Sequence, residues 1–191
     1  TIQWFAQVCV ERGKPDAWRK WLRESIELGA TGTYIHGGVV DNWYANEMWD
    51  NFNEALETMQ DAGVVSGLAA HMPEAHAWIG ENLEPDFQMC SYYNPTDRSK
   101  SAHHQADGEK WEEEDRDKML EVIATLPCPA VHYKVFGGGN KPIIEAFETM
   151  GKSMRENDVA LIGVFLKDNR DMIKEDIALF EEHVDGVGVS A

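Results

Sequence analysis

The chain has 191 residues, which is long enough for one well-buried domain and too short for two ordinary ones. Its 43% apolar and 27% charged residues are typical of a folded α/β or α+β domain, not of a disordered or fibrous chain. Asp and Glu number 34 against 17 Lys and Arg, and the net charge of -17 repels phosphate backbones and anionic lipids. We therefore expect one domain that acts on a small molecule and binds neither nucleic acid nor membrane.

Two further features concern the compartment. No apolar run approaches the roughly 20 residues that span a bilayer, and no basic segment followed by an apolar stretch opens the chain. Cys9, Cys90 and Cys128 are isolated and lack CxxC spacing, so we interpret them as reduced thiols. These features predict a cytoplasmic protein.

In chain order, six short apolar runs alternate with six longer amphipathic stretches. The runs predict strands, and the apolar positions of the stretches follow the 3, 4, 7 spacing of helices with one buried face. The predicted strands cover residues 1–10, 33–36, 64–70, 87–93, 130–136 and 160–166, and the helices cover residues 18–26, 49–59, 78–83, 119–126, 143–150 and 172–180. Such alternation predicts right-handed crossovers and a parallel sheet.

Two parallel architectures fit this alternation: an open doubly wound sheet, or most of a (β/α)8 TIM-type barrel. No strand is followed by GxGxxG or GxxxxGK[ST], so the nucleotide-binding signatures of the open sheet are missing. We therefore expect residues 1–191 to form a single (β/α) barrel domain that lacks its first two strand–helix units.

The carboxyl ends of parallel strands collect the functional side chains of such folds. His36 in TYIHGG and His71 in GLAAH end consecutive predicted strands at the same relative position, so both imidazoles are candidate catalytic acids or bases. They are also candidate ligands of a divalent metal, with Cys90, Asn94, His103, His104 or a carboxylate completing the site. The alternative is that each histidine only hydrogen-bonds a neighbour.

Lys134 is the third candidate catalytic residue, because it lies in a predicted strand between Tyr133 and Val135. It is two residues from His132, so we expect the two side chains on the same face. A lysine in such a place is costly unless it is paired or functional, and it suits either a Schiff-base amine or a cation for an anionic substrate. The glycine run 137–139 then predicts exposed N–H groups suited to phosphate, or only a flexible turn.

The succession GLAAH, DFQMCSYYNPTDR, VHYKVFGGG and LIGVFLKDNRDMIKEDIALF resembles the second half of the aldo-keto reductase barrel, and TYIHGG is similar to the strand that carries that family's active-site histidine. The resemblance extends to uncharacterised bacterial barrel proteins related to those reductases. It implies that the chain represents strands three to eight of the barrel.

The resemblance also implies roles for single residues. His36 takes the position of the active-site histidine, Tyr133 that of the aromatic residue stacked on nicotinamide, and Asn94 and Arg98 the ends of the YNxxxR motif. Gly137, Gly138 and Lys167 would help to bind NADP. Ala69, Ala70, Cys90, Gln7 and Lys134 depart from the family pattern and weaken the nicotinamide implication.

Three functions follow as expectations. The leading one is an aldo-keto-reductase-like enzyme acting on a small polar carbonyl or sugar-type substrate. The second is a metal-assisted or Schiff-base lyase or isomerase acting on a sugar or a phosphorylated acid through His36, His71 and Lys134. The third is a non-catalytic binding barrel.

Overall fold

Six parallel strands form one sheet in the computed structural model, which describes residues 2–96 and 111–185. The strands are β1 (Phe5–Val8), β2 (Gly32–Ile35), β3 (Val65–Ala70), β4 (Phe87–Ser91), β5 (Ala130–Tyr133) and β6 (Val159–Ala160). Each pairs with the next in chain order, from β1 to β6. The prediction of six parallel strands in sequential order is therefore confirmed, and the order never reverses as it does in a doubly wound sheet.

Helices alternate with these strands. They are α1 (Trp18–Glu27), α2 (Gly37–Ala45), α3 (Trp49–Asp61), α4 (Pro73–Asn82), α5 (Glu113–Ile123), α6 (Ile143–Ser153) and α7 (Met172–Phe180), and a 3-10 turn covers Gly137–Gly139. Gly29 and Gly63, which follow the C-terminal ends of α1 and α3, have φ angles of 83° and 68°. Glycine suits this left-handed conformation because it has no Cβ.

The helices cover one face of the sheet. Alternate strand residues such as Ile35 and Leu68 pack with residues of α1 to α4, including Trp18 and Phe52, in one buried cluster. Cys90 packs with residues of α5 and α6 in a second cluster. Residues of the opposite parity, including Ala69, Phe87 and Met89, form a small third cluster with Tyr34 and Tyr133. This layering is consistent with a TIM-like barrel, in which helices lie outside the sheet and side chains fill its inside.

The sheet is not closed within the described residues. In that part of the chain β1 pairs only with β2, and β6 pairs only with β5. Both edges carry exposed apolar side chains, with Phe5 50% and Val159 54% exposed. The fold is thus an α/β fold with an all-parallel sheet, consistent with a TIM-like barrel that remains open.

Several strand boundaries differ from the sequence prediction. β1 begins at Phe5 rather than at residue 1, and β6 covers Val159–Ala160 rather than residues 160–166. Residues 161–166 are apolar, and their sequence therefore predicts a strand. In the structure they follow β6, and most of them are exposed. β5 ends at Tyr133, because the next residue, Lys134, has a φ of 56° that breaks the strand conformation.

Helix α2 was not predicted, because its first two residues are glycines, which are poor helix formers. It begins directly after β2, where His36 is the N-cap residue and His36 Nδ1 accepts a hydrogen bond from the Gly38 N–H at 3.2 Å. The helix lies against β3, and this contact brings its residues to the carboxyl end of that strand.

Regarding membranes, no helix among residues 2–96 and 111–185 is both long and apolar enough to cross a bilayer.

A buried polar network surrounds His132, on the face of β5 opposite to Tyr133. His132 is fully buried, with Nδ1 3.0 Å from the Tyr92 hydroxyl and Nε2 3.2 Å from Asp158 Oδ2. Asp158 also accepts hydrogen bonds from the backbone N–H groups of Ala130 and Arg155 and from the Arg155 guanidinium. Burial alone would raise the pKa of Asp158, but these donors hold it well below its usual range.

We expect Asp158→Asn to lower the free energy of unfolding at pH 7 by about 2–4 kcal/mol, because the change leaves Arg155 and His132 without their buried anion. A carboxyl group whose pKa is depressed by folding stabilises the protein above its unfolded pKa, near 3.9, and this contribution is lost as the pH falls through the folded pKa. The difference between wild type and variant should therefore shrink as the pH is lowered below about 4.

Urea unfolding at pH 7 and at pH 3 measures this difference. Asp168→Asn is the control, since Asp168 is exposed and its replacement should change stability by no more than about 0.5 kcal/mol. Equal stabilities of Asp158→Asn and wild type at pH 7 would show that the network contributes nothing.

Candidate active site

Four side chains meet where β2, β3 and β5 end: Asp41, His71, Tyr133 and Lys134. His71 is the centre of the group. Its Nδ1 lies 2.7 Å from Asp41 Oδ2, and its Nε2 lies 3.0 Å from Lys134 Nζ and 3.4 Å from the Tyr133 hydroxyl. The structure therefore brings together His71 and Lys134, two of the three predicted catalytic residues.

Asp41 holds His71 in one orientation. It projects from α2, its side chain is 0% exposed, and that of His71 is 2% exposed. Asp41 Oδ1 accepts the backbone N–H groups of His71 at 2.8 Å and Met72 at 3.1 Å, which ties the carboxylate to the end of β3. Because the carboxylate faces Nδ1, the proton of a neutral His71 lies on Nδ1, and Nε2 presents its lone pair towards Lys134.

Lys134 lies one residue beyond β5 in a left-handed conformation, with a φ of 56°. This conformation is uncommon outside glycine and costs about 1 kcal/mol or more, and such residues are concentrated at functional sites. It also breaks the strand alternation, so the expectation that Lys134 and His132 share a face is wrong. His132 contacts Tyr92 and Asp158, whereas Lys134 contacts His71.

Tyr133, which the resemblance assigned to nicotinamide stacking, directs its hydroxyl towards His71. The hydroxyl lies 3.4 Å from both the Ala70 carbonyl and His71 Nε2, and the two rings meet edge to face with centroids 5.9 Å apart. Tyr133 and Lys134 thus both approach the same imidazole nitrogen.

His36 is near this group. Its ring centroid lies 6.5 Å from that of His71, while its Nδ1 caps α2. The metal prediction for His36 and His71 has no support in the described ranges, where no group of three or more His, Cys, Asp or Glu residues suits a metal ion. Both nitrogens of His71 already face other polar groups.

The glycine run forms a tight turn with φ angles of 52°, 63° and 88°. The Gly137 N–H donates to the Lys134 carbonyl at 2.8 Å, and the Gly139 N–H donates to the Phe136 carbonyl at 2.9 Å. These two N–H groups are therefore engaged within the turn, in contrast to the exposed N–H groups predicted for phosphate binding. Gly138 lies against Trp111, where a Cβ would come within 3.0 Å of the indole.

The other residues assigned to cofactor binding lie in separate surroundings. The Asn94 N–H donates to Asp115 Oδ2 at 3.3 Å, next to the first turn of α5. Lys167 is exposed in the turn before α7. Arg98, His103 and His104 lie outside the described residues.

In this arrangement His71 can take a proton from the Lys134 ammonium group. The Asp41 carboxylate stabilises the imidazolium that forms, and the remaining neutral amine is a nucleophile. The same constellation of carboxylate, imidazole and nucleophile activates serine and cysteine side chains in hydrolytic enzymes.

Sequence reasoning missed Asp41 and Trp111. The signal for Asp41 is a single carboxylate in GGVVDNW, a segment otherwise made of small, apolar and amide residues, since an acidic residue among buried neighbours needs a partner. Trp111 follows the long segment after β4, and its position beside the glycine turn gives no signal in the sequence.

A comparison of this chain with models of protein families finds no match, and a comparison with curated proteins finds no match either. The resemblance to aldo-keto reductases consequently rests on the partial motifs alone. The parallel six-stranded sheet agrees with that resemblance only at the level of fold.

Proposed function

We propose that this chain is an enzyme of the lyase or isomerase type that binds a carbonyl compound as a Schiff base on Lys134. The observation that carries the proposal is the continuous line of contacts from Asp41 through His71 to Lys134, at 2.7 Å and 3.0 Å. It places a buried base next to a primary amine at the carboxyl end of parallel strands, where α/β enzymes bind their substrates.

The first step starts from the Lys134 ammonium group. One proton passes from Nζ to His71 Nε2, and the lone pair of Nζ attacks the carbonyl carbon while the carbonyl electrons move to oxygen. The imidazolium returns its proton to that oxygen, and the nitrogen supplies the second proton of the water that leaves. The products are a protonated imine and water, so that atoms and charge balance.

The protonated imine weakens bonds at the neighbouring carbon, because it accepts the electrons that remain when a C–H or C–C bond breaks. His71 is neutral again at this point and its Nε2 can receive the released proton. Loss of a proton leads to isomerisation, and cleavage of a C–C bond leads to a lyase reaction.

Reductive trapping tests this function. The protein is incubated with propanal and sodium cyanoborohydride at pH 7, and peptide mapping by mass spectrometry measures the label on each lysine. We expect Lys134 to be labelled at least about a hundredfold faster than Lys141, because ordinary lysines are almost fully protonated at this pH. Lys141 is a matched comparison on the same loop, where its side chain pairs with Glu113.

Two variants complete the test. Lys134→Met should remove the fast label while the other lysines react as before, and His71→Gln should slow the labelling of Lys134. Labelling of Lys134 no faster than that of Lys141 would contradict the proposal. It would favour Lys134 as a fixed cation for an anionic substrate, or the non-catalytic binding barrel.

A nicotinamide-dependent carbonyl reduction is the second candidate, because the Tyr133 hydroxyl next to His71 is suited to donate a proton to a carbonyl oxygen. The residues fit the cofactor poorly. Ala69 and Ala70 are buried and have no side-chain polar group for a carboxamide, and the Gly137 N–H is engaged within its turn. Titration with NADPH followed by its fluorescence tests this candidate, and saturable micromolar binding would favour it.

A further inference from the structure

The amine of Lys134 is flanked by two aromatic rings. Its Nζ lies 5.9 Å from the centroid of Trp111 and 6.0 Å from that of Tyr133. These distances are at the limit at which a ring face attracts a cation, which is about 6 Å. Tyr133 is next to Lys134 in the chain, whereas Trp111 comes from the segment before α5.

Trp111 is positioned by contacts that do not involve Lys134. Its ring packs edge to face against Tyr93, with centroids 5.8 Å apart. The other contact is with Gly138, which has a φ of 63°. A Cβ at this position would lie 3.0 Å from the indole Cζ2. A side chain at position 138 would displace the indole, so the glycine turn and Tyr93 together set its distance from Lys134.

We propose that Trp111 is a specificity-determining residue, which selects carbonyl compounds whose carbonyl group is attached to a flat, unsaturated group such as an aryl ring. This inference rests on the proposed Schiff base at Lys134. In a protonated imine the imine carbon lies about 1.3 Å from Nζ, and the substituent atom bonded to that carbon lies about 2.5 Å from Nζ. A flat substituent that starts there and lies across the face of Trp111 can contact the indole at the ordinary distance, about 3.5 Å.

Two physical effects favour such a substituent. Conjugation spreads the positive charge of the protonated imine over the flat group, and the electron-rich indole face attracts that charge. Offset stacking of two aromatic groups adds about 0.5–1.5 kcal/mol beyond the area buried. A saturated ring of the same size gains neither effect, since it is puckered and carries no delocalised charge.

Benzaldehyde and cyclohexanecarbaldehyde are the probes, because they have the same number of carbon atoms and differ in flatness. Cyanoborohydride trapping at pH 7 measures the labelling rate of Lys134 with each aldehyde. The ratio of the two rates is divided by the same ratio for Nα-acetyl-lysine, which removes the intrinsic difference in reactivity. We expect a corrected preference for benzaldehyde of about five- to tenfold in the wild-type protein.

Three variants test the role of the indole. Trp111→Leu should reduce the corrected preference to about one, and Trp111→Phe, which keeps an aromatic face, should retain part of it. Trp21→Leu is the matched control, because Trp21 lies on α1 beside Lys20, and it should leave the preference unchanged. Circular dichroism verifies that each variant is folded, and Trp111→Phe serves as the test if Trp111→Leu does not fold.

The outcomes separate this inference from the proposed function. Labelling of Lys134 with the same corrected preference in wild type, Trp111→Leu and Trp111→Phe would overturn the role of Trp111 and leave the Schiff base standing. Failure of both aldehydes to label Lys134 faster than Lys141 would overturn the proposed function and the inference together.

Discussion

Replacement of Asp41 by asparagine should slow the trapping of aldehydes on Lys134 by about a hundredfold or more, with the fold retained. The amide can still accept the backbone N–H groups of His71 and Met72 through its oxygen, at the positions where Asp41 Oδ1 accepts them now. Its NH2 group then faces His71 Nδ1, which forces the imidazole proton onto Nε2. A protonated Nε2 cannot take a proton from Lys134, so the amine stays protonated.

Asp86→Asn is the control for this experiment. Asp86 also accepts a backbone N–H, from Ser66 at 2.7 Å, but it lies just before β4, at the opposite end of the sheet from the candidate site. It should affect stability and leave the labelling of Lys134 unchanged. A normal labelling rate in Asp41→Asn would show that His71 does not activate the amine.

The strand order and the helix alternation were predictable because they depend on local hydrophobic periodicity. Runs such as those around Leu68 and Cys90 are buried on both faces, and such runs are typical of parallel strands. The end of β6 was not predictable in this way. Residues 161–166 are as apolar as a strand, but strand formation needs a neighbour, and pairing beyond Leu161 depends on the rest of the sheet.

The candidate site was predictable only in part. His71 stands out because it follows a predicted strand, and Lys134 because it is a charged residue near the end of another, and parallel strands end at one edge of a sheet. Their 3.0 Å contact depends on the left-handed backbone of Lys134, which no local pattern in VHYKVF indicates. The role of Asp41 was not predictable for a different reason. Asp41 reaches His71 from α2, a helix that begins with two glycines and was not predicted.

Gly37→Ala should separate His71 from Lys134 without adding or removing a charge. A Cβ at position 37 would lie 2.7 Å from His71 Cε1, 2.9 Å from His71 Nδ1 and 3.0 Å from the Tyr133 hydroxyl. The imidazole has little room to yield, because Asp41 holds it and it is buried. A displacement of about 1 Å in such a group costs roughly a hundredfold in rate, so we expect a loss of this size in the labelling of Lys134.

The stability of Gly37→Ala should change less than its reactivity, because alanine favours helix α2 by about 1 kcal/mol while the overpacking costs about 1–3 kcal/mol. Urea unfolding measures the stability, and cyanoborohydride trapping measures the reactivity of Lys134. Gly163→Ala is the matched control, since a Cβ there meets nothing within 4 Å. If Gly37→Ala and Gly163→Ala both labelled Lys134 at the wild-type rate, the contact between His71 and Lys134 would be irrelevant to the amine's reactivity. A selective loss in Gly37→Ala would instead tie that reactivity to the position of the imidazole.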